Sequence, residues 1–371
     1  MAFYFYSHDI GLAKKTGITK VGFQLFKSIN LQKRRFTILS HATRKSIKTE
    51  YNEIIQPEIK FQLLKYRTYL VKNNFKKAIM VFLNLFRYSF DPSKFDKNDI
   101  IIFNHIEYTS EFLTFLMNSV SKKIIWLHGT PEAYLNDKKT SHQIDFIVDA
   151  YNCADIVVHL NKTSLESWKV YGMKTRGIII NNTIEVKEPT KKNNSIDVLI
   201  IGTINERKGF NYLLEEIQLL KDIKFNINII GKSQGDFADT FLQKISKLQN
   251  INYLGLVPDP ENYISSAKLV WCLSTGEGQS LAMLESLEKG KPIISTNYPA
   301  AEDLVINNKN GYLIEDHSIS DFIKYTEELL SDNKKYKMFS NHSKNMFESR
   351  FSNKIFNNNF NNLIKDVTTN S

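Results

Sequence analysis

Ile196–Leu220 reads IDVLIIGTINERKGFNYLLEEIQLL, and its order of residue types decides the fold class. Ile196–Ile201 is a short run rich in β-branched residues that stops at Gly202. A second glycine, Gly209, closes the loop that follows. Beyond it Leu213, Leu214, Ile217 and Leu220 recur at helical spacing, which predicts a helix over Asn211–Leu220. A strand apolar but for Asp197, a glycine turn and a helix are the opening of a βαβ unit. Such strands lie in parallel sheets covered on both faces, so they show no polar alternation.

The same rhythm continues outward from this stretch. Phe225–Ile230, ending at Gly231, is the next strand, and Asn252–Leu256, Leu269–Leu273 and Pro292–Ser295 follow as short apolar runs. Helical patterns at Asp239–Leu248 and Leu281–Lys289 separate them. The first half repeats the theme. Phe3–Tyr6, Phe36–Leu39, Ile100–Phe103, Ile124–Leu127, Ile156–Leu160 and Gly177–Ile180 read as strands. Val21–Ile29, Phe112–Ser119 and Thr163–Tyr171 read as helices. The polar stretch Glu185–Ser195 (EVKEPTKKNNS) is the expected linker. The expected organisation is thus a doubly wound α/β domain over residues 1–184, the linker 185–195 and a second such domain over 196–345. A C-terminal helix over 346–371 should carry Phe351, Ile355, Phe356, Phe360, Leu363 and Ile364 as one apolar stripe.

Composition narrows the class. The chain has 371 residues, net charge +10 and two cysteines, Cys153 and Cys272. Two cysteines cannot form a secreted disulfide framework, so a reducing compartment is expected. Met1 is followed by AFYFYSHDIG, which has neither a basic start nor a long apolar run, and no secretory signal is expected. The most apolar stretch, Ala78–Phe86, is far shorter than the about 20 residues of a spanning helix. Charge is uneven: residues 1–130 hold 21 Lys and Arg against 9 Asp and Glu, net +12, and the remainder is net −2. Such asymmetry suits an anionic surface, membrane or nucleic acid, although charge also serves solubility.

In open α/β sheets ligands bind beyond the carboxyl ends of the strands, so chemistry is sought in the loops that follow strands. Gly202–Gly209 (GTINERKG) joins two glycines to Arg207 and Lys208. Glycine lets a phosphate approach the backbone, and adjacent cations can neutralise a diphosphate. The loop is neither a Walker A loop nor Gly-x-Gly-x-x-Gly. The second loop, Ser274–Lys291 (STGEGQSLAMLESLEKGK), places Glu277 in a glycine-rich turn and Glu285 eight residues later on a helix. Carboxylates there can accept sugar or ribose hydroxyls, and the helix start favours a phosphate. No Asp-x-Asp, zinc spacing or Gly-x-Ser-x-Gly elbow is present.

EGQSLAMLESLEKGKPII resembles the Glu-x7-Glu signature of retaining glycosyltransferases of family four, which have the GT-B fold of two facing Rossmann-like domains with a cleft between them and a C-terminal helix crossing back. Weaker likenesses occur in the family's order: Thr16-Gly17-Ile18, Trp126-Leu127-His128-Gly129, Ile180–Ile184, GTINERKGFNYLLEE, NYLGLVPD and Asn310–Leu313. The resemblance implies that Arg207 and Lys208 hold the nucleotide diphosphate and stabilise the leaving group. It implies that Glu285 binds the ribose and Glu277 the transferred sugar. Gly17, Gly202, Thr203 and the backbone of Gly278, Gln279, Ser280 and Leu281 would line the donor site. His128 would lie near the anomeric centre. Four departures stand out, one being Asn182 in place of a common glycine, where Asn tolerates a left-handed turn. Thr203 occupies the place of a usual arginine, and Arg207 occupies a place often taken by glutamate. Gln279-Ser280 stands where Phe-Gly is common, which bears on the sugar accepted.

The resemblance further implies same-face attack, with the departing phosphate taking the acceptor's proton. The nucleotide sugar is a substrate, and neither a cofactor nor a metal is expected. His8, Asp9, His105 and Glu107 follow first-half strands and are candidate acceptor contacts, although a strand-end histidine is commonly structural. Residues 61–90 interleave Lys65, Arg67, Lys72, Lys76, Lys77 and Arg87 with aromatic and aliphatic residues and no acid. That pattern is expected to form a basic amphipathic helix on an anionic membrane surface, or else a helix packed on the sheet with its lysines in water. No nucleic-acid motif is present. The expectation is a metal-independent hexosyltransferase, cytoplasmic and peripheral on the inner face of the membrane. It would act from a nucleotide sugar, UDP-linked, on a glycan or lipid-linked glycan acceptor in capsule, lipopolysaccharide or related polysaccharide biosynthesis. A soluble transferase for a small molecule or protein, and a non-catalytic GT-B subunit that binds glycan or stabilises a partner, are the alternatives.

Overall fold

The computed structural model describes residues 3–6, 21, 22, 25, 36–39, 54–55, 58–61, 86–89, 92–104, 106, 110–131, 135, 144–189 and 195–369. Gly17, His8, Asp9, His105 and Glu107, and residues 62–85 of the basic segment, lie outside them. The chain divides into two compact units. The first comprises residues 1–159, 165–179 and 360–371, and the second residues 160–164 and 180–359.

The first unit is built on a seven-stranded, wholly parallel sheet. Its strands are β1 (Phe3–Tyr6), β2 (Phe36–Leu39), β3 (Ile54–Ile55), β6 (Ile100–Phe103), β7 (Lys122–Trp126), β8 (Ile156–His159) and β9 (Gly177–Ile179). Their order is β3-β2-β1-β6-β7-β8-β9. β6 and β8 are buried along their whole length, as strands covered on both faces must be. Helices α1 (Ser110–Asn118), α2 (Ile144–Asn152) and α3 (Lys162–Val170) connect successive strands. Phe103, Phe112, Phe115, Tyr151 and Trp168 fill one core.

A separate antiparallel pair joins β4 (Glu58–Phe61) to β5 (Phe86–Ser89), in the register Phe61↔Phe86 and Lys60↔Arg87. The helix expected over residues 61–90 is therefore absent at both described ends. Phe86-Arg87-Tyr88-Ser89 alternates aromatic and polar residues with period two, the strand period.

The second unit carries a six-stranded parallel sheet in the order β12-β11-β10-β13-β14-β15. The strands are β10 (Ile196–Ile201), β11 (Ile227–Ile230), β12 (Ile251–Tyr253), β13 (Ala267–Cys272), β14 (Ile293–Thr296) and β15 (Gly311–Ile314). Val198 and Ile200 face one core with Trp271, Phe241 and Phe322, while Leu199 and Ile201 face another with Val270 and Ile264. β12 ends earlier than expected, leaving Leu256 76% exposed. The helix expected over Asn211–Leu220 is two pieces, α4 (Phe210–Glu215) and a 3-10 turn Ile217–Leu220, joined at Glu216 with φ −107° and ψ 25°.

Further helices are α5 (Asp236–Ile245), α6 (Pro260–Ser266), α7 (Leu281–Glu288), α8 (Ile319–Ser331) and α9 (Asn333–Met346). A π-turn at Phe347–Phe351 precedes the final helix α10 (Asn353–Thr369). Phe351, Phe356, Phe360, Leu363 and Ile364 of the tail stripe are buried. Among the described residues no helix is long and apolar enough to cross a membrane.

Candidate functional site

In the second unit the chain runs from β10 to β11 and β12 on one side, then returns to β13 on the other. The loops that leave β10 and β13 must therefore diverge, and a crevice opens between them at the carboxyl edge of the sheet. The Arg207-Lys208 loop follows β10, and the Glu277 turn follows β13. The register Ile200↔Trp271 sets the two strand ends level.

The first loop is shaped by its own side chains. Asn205 caps a 3-10 turn over Glu206–Lys208, its Oδ1 accepting the Lys208 N–H at 2.9 Å. Gly209 then turns left-handed at φ 76°, where a Cβ would lie 1.8 Å from the Leu273 carbonyl oxygen. Only glycine fits so close to the end of β13. Thr275 N–H donates to the Arg207 carbonyl at 3.1 Å, which binds one loop to the other.

The charged groups converge on one carboxylate. Lys208 Nζ donates to Glu277 Oε1, and Ser274 Oγ donates to the same oxygen at 3.0 Å. Arg207 Nη1 lies 4.0 Å from it and donates to Gly276 O at 3.4 Å. The Arg207 side chain is 61% exposed, whereas those of Lys208 and Glu277 are 20% and 14% exposed. Arg207 is thus presented outward while the other two form a partly buried pair. The Lys208 stem passes 3.5 Å from the place a Gly202 Cβ would take. Lys208, Ser274, Ser280 and Cys272 line a small cavity between the ends of β10 and β13 and the start of α7.

Ser280 caps α7, its Oγ accepting the Met283 N–H at 3.4 Å. Glu285 is half-buried on the fifth residue of that helix, about 6 Å along its axis from the start. Leu281 is half-buried and Thr203 exposed. The Gln279 side chain turns inward, and its Oε1 accepts the Asn182 N–H at 2.7 Å. Behind the turn, Tyr298 is 5% exposed, and burial pushes its phenol well above the ordinary range, with Cys272 and Glu277 adding to the shift. Its hydroxyl donates to Met283 Sδ at 3.5 Å. Among the described residues no three His, Cys, Asp or Glu side chains are grouped to hold a metal ion.

His128 lies in the first unit just beyond β7. Its Nε2 is 2.6 Å from the Asn104 carbonyl and 3.1 Å from Asn104 Oδ1, both acceptors, so Nε2 carries the proton. Asn104 is fully buried at the end of β6, and Trp168 Nε1 holds the next turn by donating to Gly129 O at 3.0 Å. Sequence reasoning passed over Ser274, Asn104, Asn161 and Tyr298. Asn161 had a readable signal as a capping residue between a strand and a helix. The others show none beyond their place after a strand.

Residues 181–346 match the family model described as Glycosyl transferases group 1. An uncharacterized glycosyltransferase of Haemophilus influenzae is 28% identical over 206 residues, 54% of this chain and 58% of that protein. A Staphylococcus aureus poly(ribitol-phosphate) alpha-N-acetylglucosaminyltransferase is 30% identical over 131 residues, 33% of this chain and 26% of that protein. Among solved structures, Anabaena HepE in complex with UDP and glucose superposes with a TM-score of 0.73 at 16% identity, covering 99% of this chain and 100% of that one. The chain has the GT-B fold, and these matches support a GT-B glycosyltransferase.

Proposed function

We propose that the chain is a retaining glycosyltransferase that moves a hexosyl unit from a UDP-linked sugar to a growing glycan of the cell surface. The observation that carries this reading is the meeting of Arg207, Lys208 and Glu277 at the crevice between β10 and β13. Cleaving a sugar–phosphate bond builds negative charge on the diphosphate and positive charge on the ring. Lys208 and the outward Arg207 stabilise the first, together with the N-terminus of α7. Glu277 is placed beside both cations to take hydroxyls of the transferred sugar, and Glu285 to take the ribose. The cations carry the leaving group's charge without a metal. The family resemblance adds His128 as a residue that would orient a hydroxyl, although its Nε2 proton is engaged by Asn104. The acceptor hydroxyl attacks the face that the phosphate leaves and gives its proton to that departing phosphate, so the configuration is retained. The names of the relatives support a surface polymer as acceptor. The basic first 130 residues support peripheral docking at the inner face of the membrane, and with it a lipid-linked acceptor.

A thermal-shift screen of nucleotide sugars, followed by UDP or GDP release, tests the reading. One UDP-sugar should raise the melting temperature by mass action and be cleaved slowly even without acceptor. A chain that leaves every UDP- and GDP-sugar intact, with glycan acceptors supplied, is a binding subunit rather than an enzyme.

A further inference from the structure

The turn that carries Glu277 is held by two segments far from it in sequence. Both belong, with the turn, to the second unit: residues 160–164 and residues 180–184 at the start of its long segment. Asn161 Nδ2 donates to Gly278 O at 2.8 Å. Gln279 Oε1 accepts the Asn182 N–H at 2.7 Å. The two segments are themselves joined, since Asn181 Nδ2 donates to Leu160 O at 2.6 Å. Asn161, Asn182 and Gln279 are 1%, 3% and 6% exposed, so solvent does not compete for these bonds.

We propose that Asn161 and Gln279 are positioning residues for the donor turn, fixing the Gly278–Gln279 peptide that stands between Glu277 and the start of α7. The proposal rests on the glycosyltransferase reading above. In a trans peptide the carbonyl of one residue and the N–H of the next share a plane and point opposite ways. Holding Gly278 O therefore sets the direction of the Gln279 N–H and the path from Glu277 to the cap at Ser280. A carbonyl needs a donor, and Asn161 supplies one from Nδ2. Its Oδ1 is used separately, accepting the Ser164 N–H at 2.7 Å at the start of α3. One short planar head thus does two tasks that can be separated by mutation. Gln279 acts through its acceptor alone, because its Nε2 is buried with no hydrogen-bond partner among the described residues.

Asn161→Asp keeps the capping oxygen and removes the donor to Gly278. Asn161→Ala removes both. Gln279→Met keeps the volume and removes the acceptor. The readouts are kcat and KM for the UDP-sugar that the wild type cleaves fastest, KM for acceptor, and melting temperature. Asn161→Asp and Gln279→Met are each expected to lower kcat/KM for donor about tenfold, the worth of about one such hydrogen bond. Acceptor KM should stay within about twofold; Asn161→Asp sets a buried carboxylate oxygen against Gly278 O and should melt lower than wild type, so its kcat is taken per folded enzyme. Asn161→Ala should lose donor kcat/KM and melting temperature together. An active wild type whose Asn161→Asp and Gln279→Met variants keep donor kcat/KM within about twofold overturns the proposal alone. A loss explained entirely by a smaller folded fraction overturns it equally. A wild type that cleaves no nucleotide sugar overturns the functional reading, and the proposal with it.

Discussion

Gly209 is where the two loops of the site touch, and Gly209→Ala tests that contact. The residue sits at φ 76°, and an alanine Cβ would lie 1.8 Å from Leu273 O and 2.5 Å from its carbonyl carbon. Left-handed backbone costs an L-residue about 1–2 kcal/mol. The overlap adds more, because the obstructing atoms are backbone at the end of a buried parallel strand. Real Cβ atoms essentially never come within 3.0 Å of such a neighbour. Forcing the strand end and the loop apart should cost about 1–3 kcal/mol, as overpacked sites do. The total, about 2–5 kcal/mol, corresponds to a fall of about 5–20 °C in melting temperature for a domain of this size. Lys208 precedes Gly209 and Ser274 follows Leu273, so the same displacement pulls Lys208 away from Glu277 and weakens donor binding as well. Differential scanning fluorimetry with and without UDP reads both effects. Gly235→Ala is the control, since Gly235 has φ 89° but nothing within 4 Å of its would-be Cβ. Its ψ of 169° puts it in the extended positive-φ region, and it should lose only that conformational part, about 1–3 kcal/mol. If Gly209→Ala melts no lower than Gly235→Ala, the close approach of the loops is not what holds the site.

Glu277→Gln keeps an acceptor for Ser274 but removes the charge facing Lys208 and Arg207. Losing a hydrogen bond to a charged group, about 2–3 kcal/mol, predicts turnover lower by about 30- to 150-fold. Undiminished turnover with every donor that the wild type accepts would falsify the role given to Glu277. Lys208→Met should lower both kcat and donor affinity, measured by UDP titration, and a variant that binds UDP as the wild type does would remove Lys208 from the diphosphate site. His159 is fully buried, and desolvation, with a smaller contribution from Lys169, lowers its pKa to about 4. The unfolded chain, near 6.5, binds the proton more tightly, so stability is full above pH 6.5 and falls as pH drops towards 4. About 1.4 kcal/mol per pH unit gives a loss of about 3 kcal/mol across that window. Urea unfolding at pH 7 and pH 4.5 should show a smaller difference for His159→Gln than for wild type. Equal differences would mean that other groups govern the acid limit.

Most strands of the two parallel sheets were legible for a physical reason, while β3, β4, β5 and β15 were not among those expected. Where burial is two-sided a strand is a nearly continuous apolar run that a glycine or polar residue ends, as at Phe3–Tyr6, Ile100–Phe103 and Ile196–Ile201. Periodicity was a weaker guide at Asn211–Leu220, because ten residues do not separate a period of 3.6 from one of 3.0. It failed at the ends of residues 61–90, where β4 and β5 pair across 24 intervening residues and no local pattern records the partner. The charged residues of the site were legible because they stand beside glycine turns. Their meeting was not: Lys208 and Glu277 are 69 residues apart, and Asn161 and Gly278 are 117 apart. What unites Lys208 and Glu277 is the register of β10 on β13. A slip of one residue would move Lys208 by about 3.3 Å along the sheet, beyond reach of Glu277. Strands apolar on both faces have no alternation with which to specify register. The specification has to come from outside the strands, and Gly209 seated against Leu273 O supplies it at the edge where the site forms. In the sequence that constraint is one glycine among fifteen, so the residue that aligns the site carries none of its chemistry.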